Sequence, residues 1–180
     1  MPTVPYAKQT WTDGASSASA ARLTVLENGI YEVSLSPSVS AYHNAAQAVT
    51  TGVNFALALN SERWDTCAAT ADTMHDTVTN NSRLTCRYAG KYIITGTIEW
   101  AGSSSGASRD IMIRLNGSTF IAKHRGVPIS TAVVMQSVSR IYDLAVNDYV
   151  ELVVLHDVGS NLNVNSAGNY SPEFSMTRIG

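Results

Sequence analysis

Apolar and polar residues alternate with a period of two along most of the chain after residue 30. Residues 31–35 alternate as far as Pro37, and Val39 and Ala41 resume the pattern. Since successive side chains of a β-strand point to opposite faces, this period predicts strands rather than helices. Residues 83–100 continue it and predict two strands about a turn at Ala89-Gly90.

The second half of the chain carries the clearest strand signals. Asn116-Gly117 stands between two alternating runs in residues 110–122, which is a strong sequence signal for a β-hairpin. Further strands are predicted at 55–59, 133–144, 149–155 and 174–179, and polar loops at 60–66, 70–81, 102–108 and 159–168. Roughly eight to ten short strands without helices between them predict an all-β antiparallel sandwich or jelly roll.

One predicted strand, residues 149–155, is apolar on both faces. Tyr149, Val153 and Leu155 share one face, and three aliphatic residues share the other. A surface strand of an antiparallel sheet is expected to have one polar face. The second apolar face is covered either by a loop of the same chain or by another subunit, and the low content of charged residues favours an oligomer.

The front of the chain has a different period. Leu23, Leu26 and Ile30 recur at the spacing of one helical stripe, serines at 16–19 are candidate N-caps, and Gly29 is a candidate helix end. A helix this short is marginal in water by itself. It packs either on its own domain or on a partner, and a leucine stripe without its own core favours a partner.

Length and charge limit the organisation and the partners. The 180 residues suit an N-terminal segment, 1–36, followed by one domain, 37–180. Only 14% of residues are charged and the formal net charge is −2, so nucleic acid is not an expected partner. No apolar run approaches the roughly 18 residues of a membrane span, and residues 1–7 lack the features of a secretory signal. We therefore expect no membrane insertion and synthesis in the cytoplasm.

Candidate catalytic and metal-binding residues are few. Asp72, His75 and Asp76 lie close together, but they fall in a segment of loop composition without a second pair of ligands, which favours a solvated loop. The few acidic residues scarcely cluster and no nucleotide-binding loop is found, so we predict no enzyme, no cofactor and no metal site. Cys67 and Cys86 are either two small buried thiols or, outside a cell, a disulfide.

Five stretches between residues 38 and 180 resemble, in order, the C1q/TNF-like jelly roll, and three of them contain short phrases typical of that family. The phrase before one strand is matched by Ser82, Leu84, Cys86, Gly90 and Tyr92, the phrase before the penultimate strand by Leu144, Asp148, Val150 and Leu152, and the final phrase by Ser171 and Phe174. Asn147 and Met176 depart from the pattern. The resemblance implies a trimeric jelly roll. We predict that its subunit interface includes Tyr92, Tyr149, Val153, Leu155 and Phe174.

The opening phrase resembles a different group of proteins. TWTDG followed by SAARLTVLENGI is similar to the start of many tailed-phage head-fibre, tail-fibre and minor tail proteins. This resemblance implies a non-enzymatic virion protein with a helical anchor at its front. The predicted anchor residues are Trp11, Leu23, Leu26 and Ile30, and the predicted partners are the major capsid or tail proteins at the virion surface.

Within the phage interpretation two roles compete. The chain has no coiled-coil or collagen-like shaft, so a display close to its platform is expected, as in capsid decoration or a head fibre. The alternative is a minor tail protein or tail-fibre tip that binds a host-surface receptor or glycan, with loops 102–108 and 159–168 facing outward. A second alternative, a secreted C1q-like trimer, has the sequons at Asn80, Asn116 and Asn169 in its favour.

Overall fold

The computed structural model describes residues 37–67 and 73–179, which are all-β. No helix occurs among these residues, and the predicted anchor residues Trp11, Leu23, Leu26 and Ile30 lie outside them. The described part contains the strands β1 Ser38–Tyr42, β2 Gln47–Val49, β3 Phe55–Ala56, β4 Ser61–Asp65, β5 Arg83–Thr85, β6 Gly90–Trp100, β7 Arg109–Leu115, β8 Thr119–Gly126, β9 Val134–Leu144, β10 Tyr149–His156, β11 Leu162–Val164 and β12 Glu173–Arg178.

The strands form two antiparallel sheets. In the first sheet the order is β2-β11-β6-β12-β1-β4, with β9 also paired to β6; in the second it is β3-β10-β7-β8, with β5 also paired to β10. The apolar residues that face inward from both sheets make one core cluster. The prediction of an antiparallel two-sheet sandwich is confirmed.

The hairpin between β7 and β8 turns at the predicted dipeptide. Asn116 has a φ of 48° and Gly117 a φ of 70°. Two successive left-handed residues match the right-handed twist of the flanking strands, which explains the preference for Asn-Gly at this kind of turn. The hairpin prediction is confirmed.

Two predicted loops contain strands instead. Residues 61–65 form β4, a polar strand at the edge of the first sheet, paired to β1. Edge strands are often polar because one side faces solvent, so alternation does not reveal them. Within the predicted loop 159–168, Leu162 and Val164 are buried and alternate with exposed Asn163 in the short strand β11.

Large side chains and one buried amide fill the space between the sheets. Gly96 leaves room for Leu152 of the opposite sheet, since a Cβ at this position would overlap a Leu152 methyl carbon. The Gln136 side chain accepts a hydrogen bond from Trp100 Nε1 at 2.7 Å and donates one to the Arg109 carbonyl at 3.0 Å. Gln136 therefore links the two sheets through hydrogen bonds as well as packing.

Burial within one chain corrects the assignment of three predicted interface residues. Tyr92, Val153 and Phe174 have no accessible surface in the single chain. Tyr92 and Phe174 belong to the core between the sheets, so their side chains have no surface left for a second copy. Apolar alternation predicts burial but does not distinguish a chain's own core from a subunit contact.

The two cysteines are buried thiols. Cys86 Sγ donates a hydrogen bond to the Tyr88 carbonyl at 3.2 Å. Burial raises the pKa of the Cys86 thiol, and a raised pKa lowers the fraction of reactive thiolate. At Cys86 the structure fits the interpretation as a small buried thiol.

Candidate interaction surfaces

The outward face of the first sheet contains two adjacent rows without charged side chains, and we call the face around these rows the neutral face. Its rows follow the strand register: Ile141, Ile93 and Thr177 lie side by side on β9, β6 and β12, and Ser139, Thr95 and Ser175 form the next row. Alternation places these residues outward because their neighbours in sequence fill the core. Hydroxyl and aliphatic groups therefore line this face.

Four apolar side chains of the neutral face are exposed to solvent. Ile93 is 41% exposed, Met135 54%, Ile141 57% and Ile179 50%. Charged residues that share the orientation border these rows: Lys91 and Glu99 stand near the ends of β6, and Glu173 of β12, opposite Thr97, pairs with Arg63 at 3.4 Å. A surface with exposed aliphatic groups and few charges is typical of a protein contact.

The outward face of the second sheet is the opposite in character, and we call it the ionic face. Asp110 has a fully buried side chain that binds Arg125 through both carboxylate oxygens, at 2.7 and 2.8 Å, and Lys123 at 2.7 Å. Glu151 pairs with Arg114 at 2.9 Å. The charges of this face are therefore satisfied within the chain.

The environment of Asp110 determines its ionisation. Burial by itself would raise the pKa of this carboxyl, but the hydrogen bonds and positive charges of Arg125 and Lys123 outweigh it. The pKa of Asp110 therefore lies below its ordinary value.

The remaining predicted interface residues lie on the side of β10 that belongs to the ionic face. Tyr149 and Leu155 are half-buried, and the Arg83 guanidinium stacks on the Tyr149 ring at 4.1 Å. Val153 lies opposite Met112 of β7, and both are buried in the single chain. Of these three residues, Tyr149 and Leu155 keep surface that a second subunit could cover, and Val153 does not.

The two ends of the sandwich carry different loops. Arg178 donates a backbone hydrogen bond to the Pro37 carbonyl, so the start and finish of the described chain lie at one end, which we call the entry end. Loops 101–108 and 157–161 lie at the other end, where β6, β10 and β7 meet. Both loops predicted to face outward are therefore at the end opposite Pro37.

The loops at this opposite end are held by two charged side chains. Asp157 Oδ1 accepts hydrogen bonds from the backbone N–H groups of Ala107 and Ser108 at 2.8 and 2.9 Å. The buried Arg109 guanidinium donates to the carbonyls of Ser105 and Ser108, both at 2.9 Å. These contacts fix the backbone of residues 103–108.

Residues 102–106 read Gly-Ser-Ser-Ser-Gly, the letter pattern of a hydrolase nucleophile elbow. In such enzymes the elbow connects a strand to a helix. Here the segment is a loop between β6 and β7. The context required for a nucleophilic serine is therefore not met.

A polar cavity of about 310 Å³ lies at the entry end, beside β5. Arg83, Thr85 and Arg87 contribute to one wall, since they alternate with the buried Leu84 and Cys86. The remaining lining residues are Thr73, Met74, His75, Asp76, Thr79, Asn80, Asn147 and Tyr149. The sequence alone does not reveal this site, although the alternating letters R-L-T-C-R indicate that both arginines share a face.

Two of the three residues considered for metal binding, His75 and Asp76, line this cavity. The third, Asp72, lies outside the described residues. His75 is buried, with Nδ1 2.9 Å from Glu62 Oε1 and Nε2 3.2 Å from the Asn81 carbonyl. Asp76 Oδ1 accepts the backbone N–H groups of Val78 and Thr79. Within residues 37–67 and 73–179 no group of three or more metal-ligating side chains is found.

Comparisons with known proteins identify the fold. The globular domain of zebrafish complement 1qA protein superposes with a TM-score of 0.50 at 11% identity, covering 78% of this chain and 93% of that one. Murine APRIL gives 0.59 at 6% identity, covering 81% and 100%, and the Eiger TNF of S. frugiperda gives 0.58 at 9%, covering 81% and 93%. The chain has a C1q/TNF-like jelly-roll fold.

The similarity is one of structure and not of sequence. No protein-family model and no curated protein matches the chain. In the described part of the chain, no helix has the length and apolar character needed to cross a membrane.

Proposed function

We propose that the chain is a non-enzymatic structural protein of a tailed-phage particle, in which a trimer of jelly rolls is fixed to the virion by residues 1–36. In its main form the trimer decorates the capsid or forms a head fibre and stabilises the shell. The phage assignment rests on the resemblance of residues 10–30 to the start of phage head-fibre and tail proteins.

The neutral face is the observation that supports assembly. Ile93, Met135, Ile141 and Ile179 expose aliphatic surface on a sheet face whose two rows through Ile93 and Thr95 hold no charged residue. Burying the two rows without charges between copies of the chain would remove apolar surface from water. The C1q/TNF-like fold favours three copies. In this proposal the contact lies on β6, β9 and β12 rather than on β10.

The arrangement of the two ends supports attachment through the front of the chain. Pro37 lies at the entry end, so whatever precedes it reaches the jelly roll there. Loops 101–108 and 157–161 are then at the far end, as a displayed surface requires. This placement of the loops also supports the second role, a tail-fibre tip that binds a host receptor or glycan.

Light scattering of the full-length protein tests assembly. The expected mass is three times the chain mass of 19.2 kDa. A single-chain mass at micromolar concentration contradicts the trimer.

Particles that lack the protein test the role on the virion. Because a bound trimer stabilises only the assembled shell, particles without it are expected to lose their genomes at a lower temperature. Re-addition of full-length protein should restore heat resistance, whereas protein that lacks residues 1–36 should remain trimeric and fail to bind. Particles of normal heat resistance that no longer adsorb to cells would support the tail-tip role, and particles normal in both respects would contradict both roles.

A further inference from the structure

We propose that the cavity at the entry end binds an acidic sugar, with its carboxylate between Arg83 and Arg87 and its hydroxyl groups on the threonines and Asp76. The cavity lies at the end of the sandwich opposite the loops considered above for display. The chemistry of this cavity is the same whether or not the protein belongs to a virion.

Both arginines have guanidinium nitrogens available to a ligand. Arg83 Nε is 3.8 Å from Glu151 Oε1, but Glu151 makes its close pair with Arg114 at 2.9 Å. The terminal nitrogens of Arg83 make no hydrogen bond within the described residues. Arg87 uses Nε for the Thr73 carbonyl at 2.7 Å and has a long contact of 3.5 Å from Nη1 to Asn147. Since guanidinium groups bind carboxylates through paired donors, two of them in one cavity favour an anionic group.

The two guanidinium groups are held in position before a ligand arrives. Arg83 stacks on the Tyr149 ring at 4.1 Å, and the Arg87 Nε hydrogen bond ties that side chain to the loop that begins at Thr73. Backbone hydrogen bonds from Thr85 N to Met74 O and from Arg83 N to Asn80 O fasten the same loop to β5. Binding would then cost little side-chain conformational entropy, which favours affinity for a small ligand.

The rest of the wall suits hydroxyl groups. The side-chain hydroxyls of Thr79 and Thr85 make no hydrogen bond within the described residues, and both line the cavity. Asp76 uses Oδ1 for two backbone N–H groups, and Oδ2 makes no hydrogen bond within the described part of the chain. A carboxylate oxygen and free hydroxyls can accept and donate hydrogen bonds to a sugar ring.

Asp76 also favours a carboxylate ligand over a phosphate ligand. Hydrogen bonds from the backbone of Thr79 and Val78 lower the pKa of Asp76, so its carboxylate is charged at neutral pH. The fixed negative charge opposes a dianion more than a monoanion. The backbone N–H groups of Val78 and Thr79 already donate to Asp76, so they are not available to a phosphate.

The volume limits the size of the ligand. Ligand pockets in proteins span about 300–1,000 Å³, and this cavity of about 310 Å³ lies at the lower limit. One sugar ring with a carboxylate is the class of ligand that fits its size, its charge and its hydroxyl-rich wall.

Titration of the full-length ¹⁵N-labelled protein with D-glucuronate tests the assignment. The expected result is saturable shifts of the backbone amides of residues 73–87 and 147–149, with a dissociation constant on the order of 1 mM for a ligand of this size. D-Glucose, which lacks the carboxylate, and inorganic phosphate should each bind at least tenfold more weakly. Shifts elsewhere, no saturation, or equal binding of phosphate would overturn the proposal, the last by showing a general anion site.

Substitutions identify the residues responsible. Arg87→Gln is expected to weaken glucuronate binding at least tenfold, and Arg140→Gln, at an exposed arginine of β9 that makes no ion pair within the described residues, should leave it unchanged. Thr85→Val removes one hydroxyl from a strand position where valine fits well, so it provides a folded variant if Arg87→Gln fails to fold. Its expected loss is about three- to tenfold, the effect of one hydrogen bond, and unchanged binding by Thr85→Val and Arg87→Gln would contradict the site.

These measurements are separate from those on the virion role. A trimer that attaches to particles but ignores glucuronate contradicts only the sugar site. Binding of glucuronate by a protein with no place on a particle contradicts only the proposed function.

Discussion

The neutral and ionic faces belong to the same sandwich and arise from the same alternation of residues. Their outward side chains differ: those of one face are paired charges, and those of the other are exposed aliphatic groups. On the ionic face, Asp110 is buried among Arg125 and Lys123, and Glu151 is paired with Arg114. On the neutral face, Ile93 and Ile141 stand side by side in the register and remain exposed.

The difference indicates which face is better suited to a contact with a partner. Separating or desolvating the ionic pairs would cost free energy, so that face is best left in contact with water. The neutral face gains free energy if it is covered, because its exposed groups are aliphatic. We therefore expect changes on the two faces to have different effects on assembly and on stability.

The largest expected effect is on assembly. Ile93→Lys combined with Ile141→Lys places two charges in the contact proposed for the neutral face, so the trimer should dissociate to folded chains of 19.2 kDa, as measured by light scattering. Phe120→Lys is the matched control, because Phe120 is 42% exposed but lies beside the ionic face. A trimer that survives the double change and dissociates on Phe120→Lys would reverse the assignment of the faces.

The next largest effect is expected from a substitution in the core between the two sheets. Gln136→Leu leaves the Trp100 indole N–H and the Arg109 carbonyl buried without their hydrogen bonds. The unfolding free energy should fall by about 2–4 kcal/mol, the cost of two unsatisfied buried groups. Urea unfolding at fixed protein concentration measures it, with Ser139→Ala on the neutral face as a control expected to change stability by less than about 0.5 kcal/mol. Equal losses from both variants would contradict this role of the amide.

The ionic face is expected to contribute a pH-dependent part of the stability. Because the pKa of Asp110 is lowered in the folded protein, its contribution is present above the unfolded pKa of about 3.9 and is lost as pH falls through the lower folded value. Asp110→Asn should therefore reduce the unfolding free energy by about 2 kcal/mol at pH 6. The difference from the parent protein should shrink as the pH falls below about 4. A difference that is constant with pH would show that the ionised form of Asp110 is not the stabilising one.

The smallest expected effect concerns the hairpin that carries the ionic face. Gly117 has a φ of 70°, and a Cβ there would lie 2.8 Å from the Tyr149 hydroxyl oxygen; Gly52 has a φ of 72° with nothing within 4 Å of an added Cβ. Gly52→Ala should cost about 1 kcal/mol for the left-handed backbone alone. Thermal unfolding should show a larger loss for Gly117→Ala, and equal losses would mean that the Tyr149 side chain moves aside at no cost.

The alternation of residues was sufficient to predict most of the fold. It located β7 to β10 and β12 to within a few residues and gave the turn at Asn116-Gly117, because local geometry and burial act together there. It did not find β4, whose residues are polar because they form an edge of the first sheet. Strand pairing of that kind is determined by distant parts of the chain.

The candidate sites were harder to predict for a related reason. Alternation identified Val153 as buried, but only the structure shows that its own chain covers it. The pattern from Arg83 to Arg87 places both arginines on one side of β5. The cavity exists only because the loop from Thr73 to Asn80 folds over that side. Hydrogen bonds such as that from the Met74 backbone to Asp65 Oδ2 hold this loop, and the alternation of residues does not predict them.

The loops at the end opposite Pro37 differ in how many hydrogen bonds hold them. This difference determines where a foreign peptide can be inserted. The Ser105 carbonyl accepts a hydrogen bond from Arg109, and the Ala107 and Ser108 N–H groups donate to Asp157. A foreign peptide inserted there would therefore break this network. Ser160 and Asn161 are exposed, and their groups make no hydrogen bond within the described part of the chain. Exposed tips with small polar residues are the positions at which domains best tolerate insertions. The peptide bond between Ser160 and Asn161 is therefore where an epitope or tag can be grafted with the least disturbance of the jelly roll.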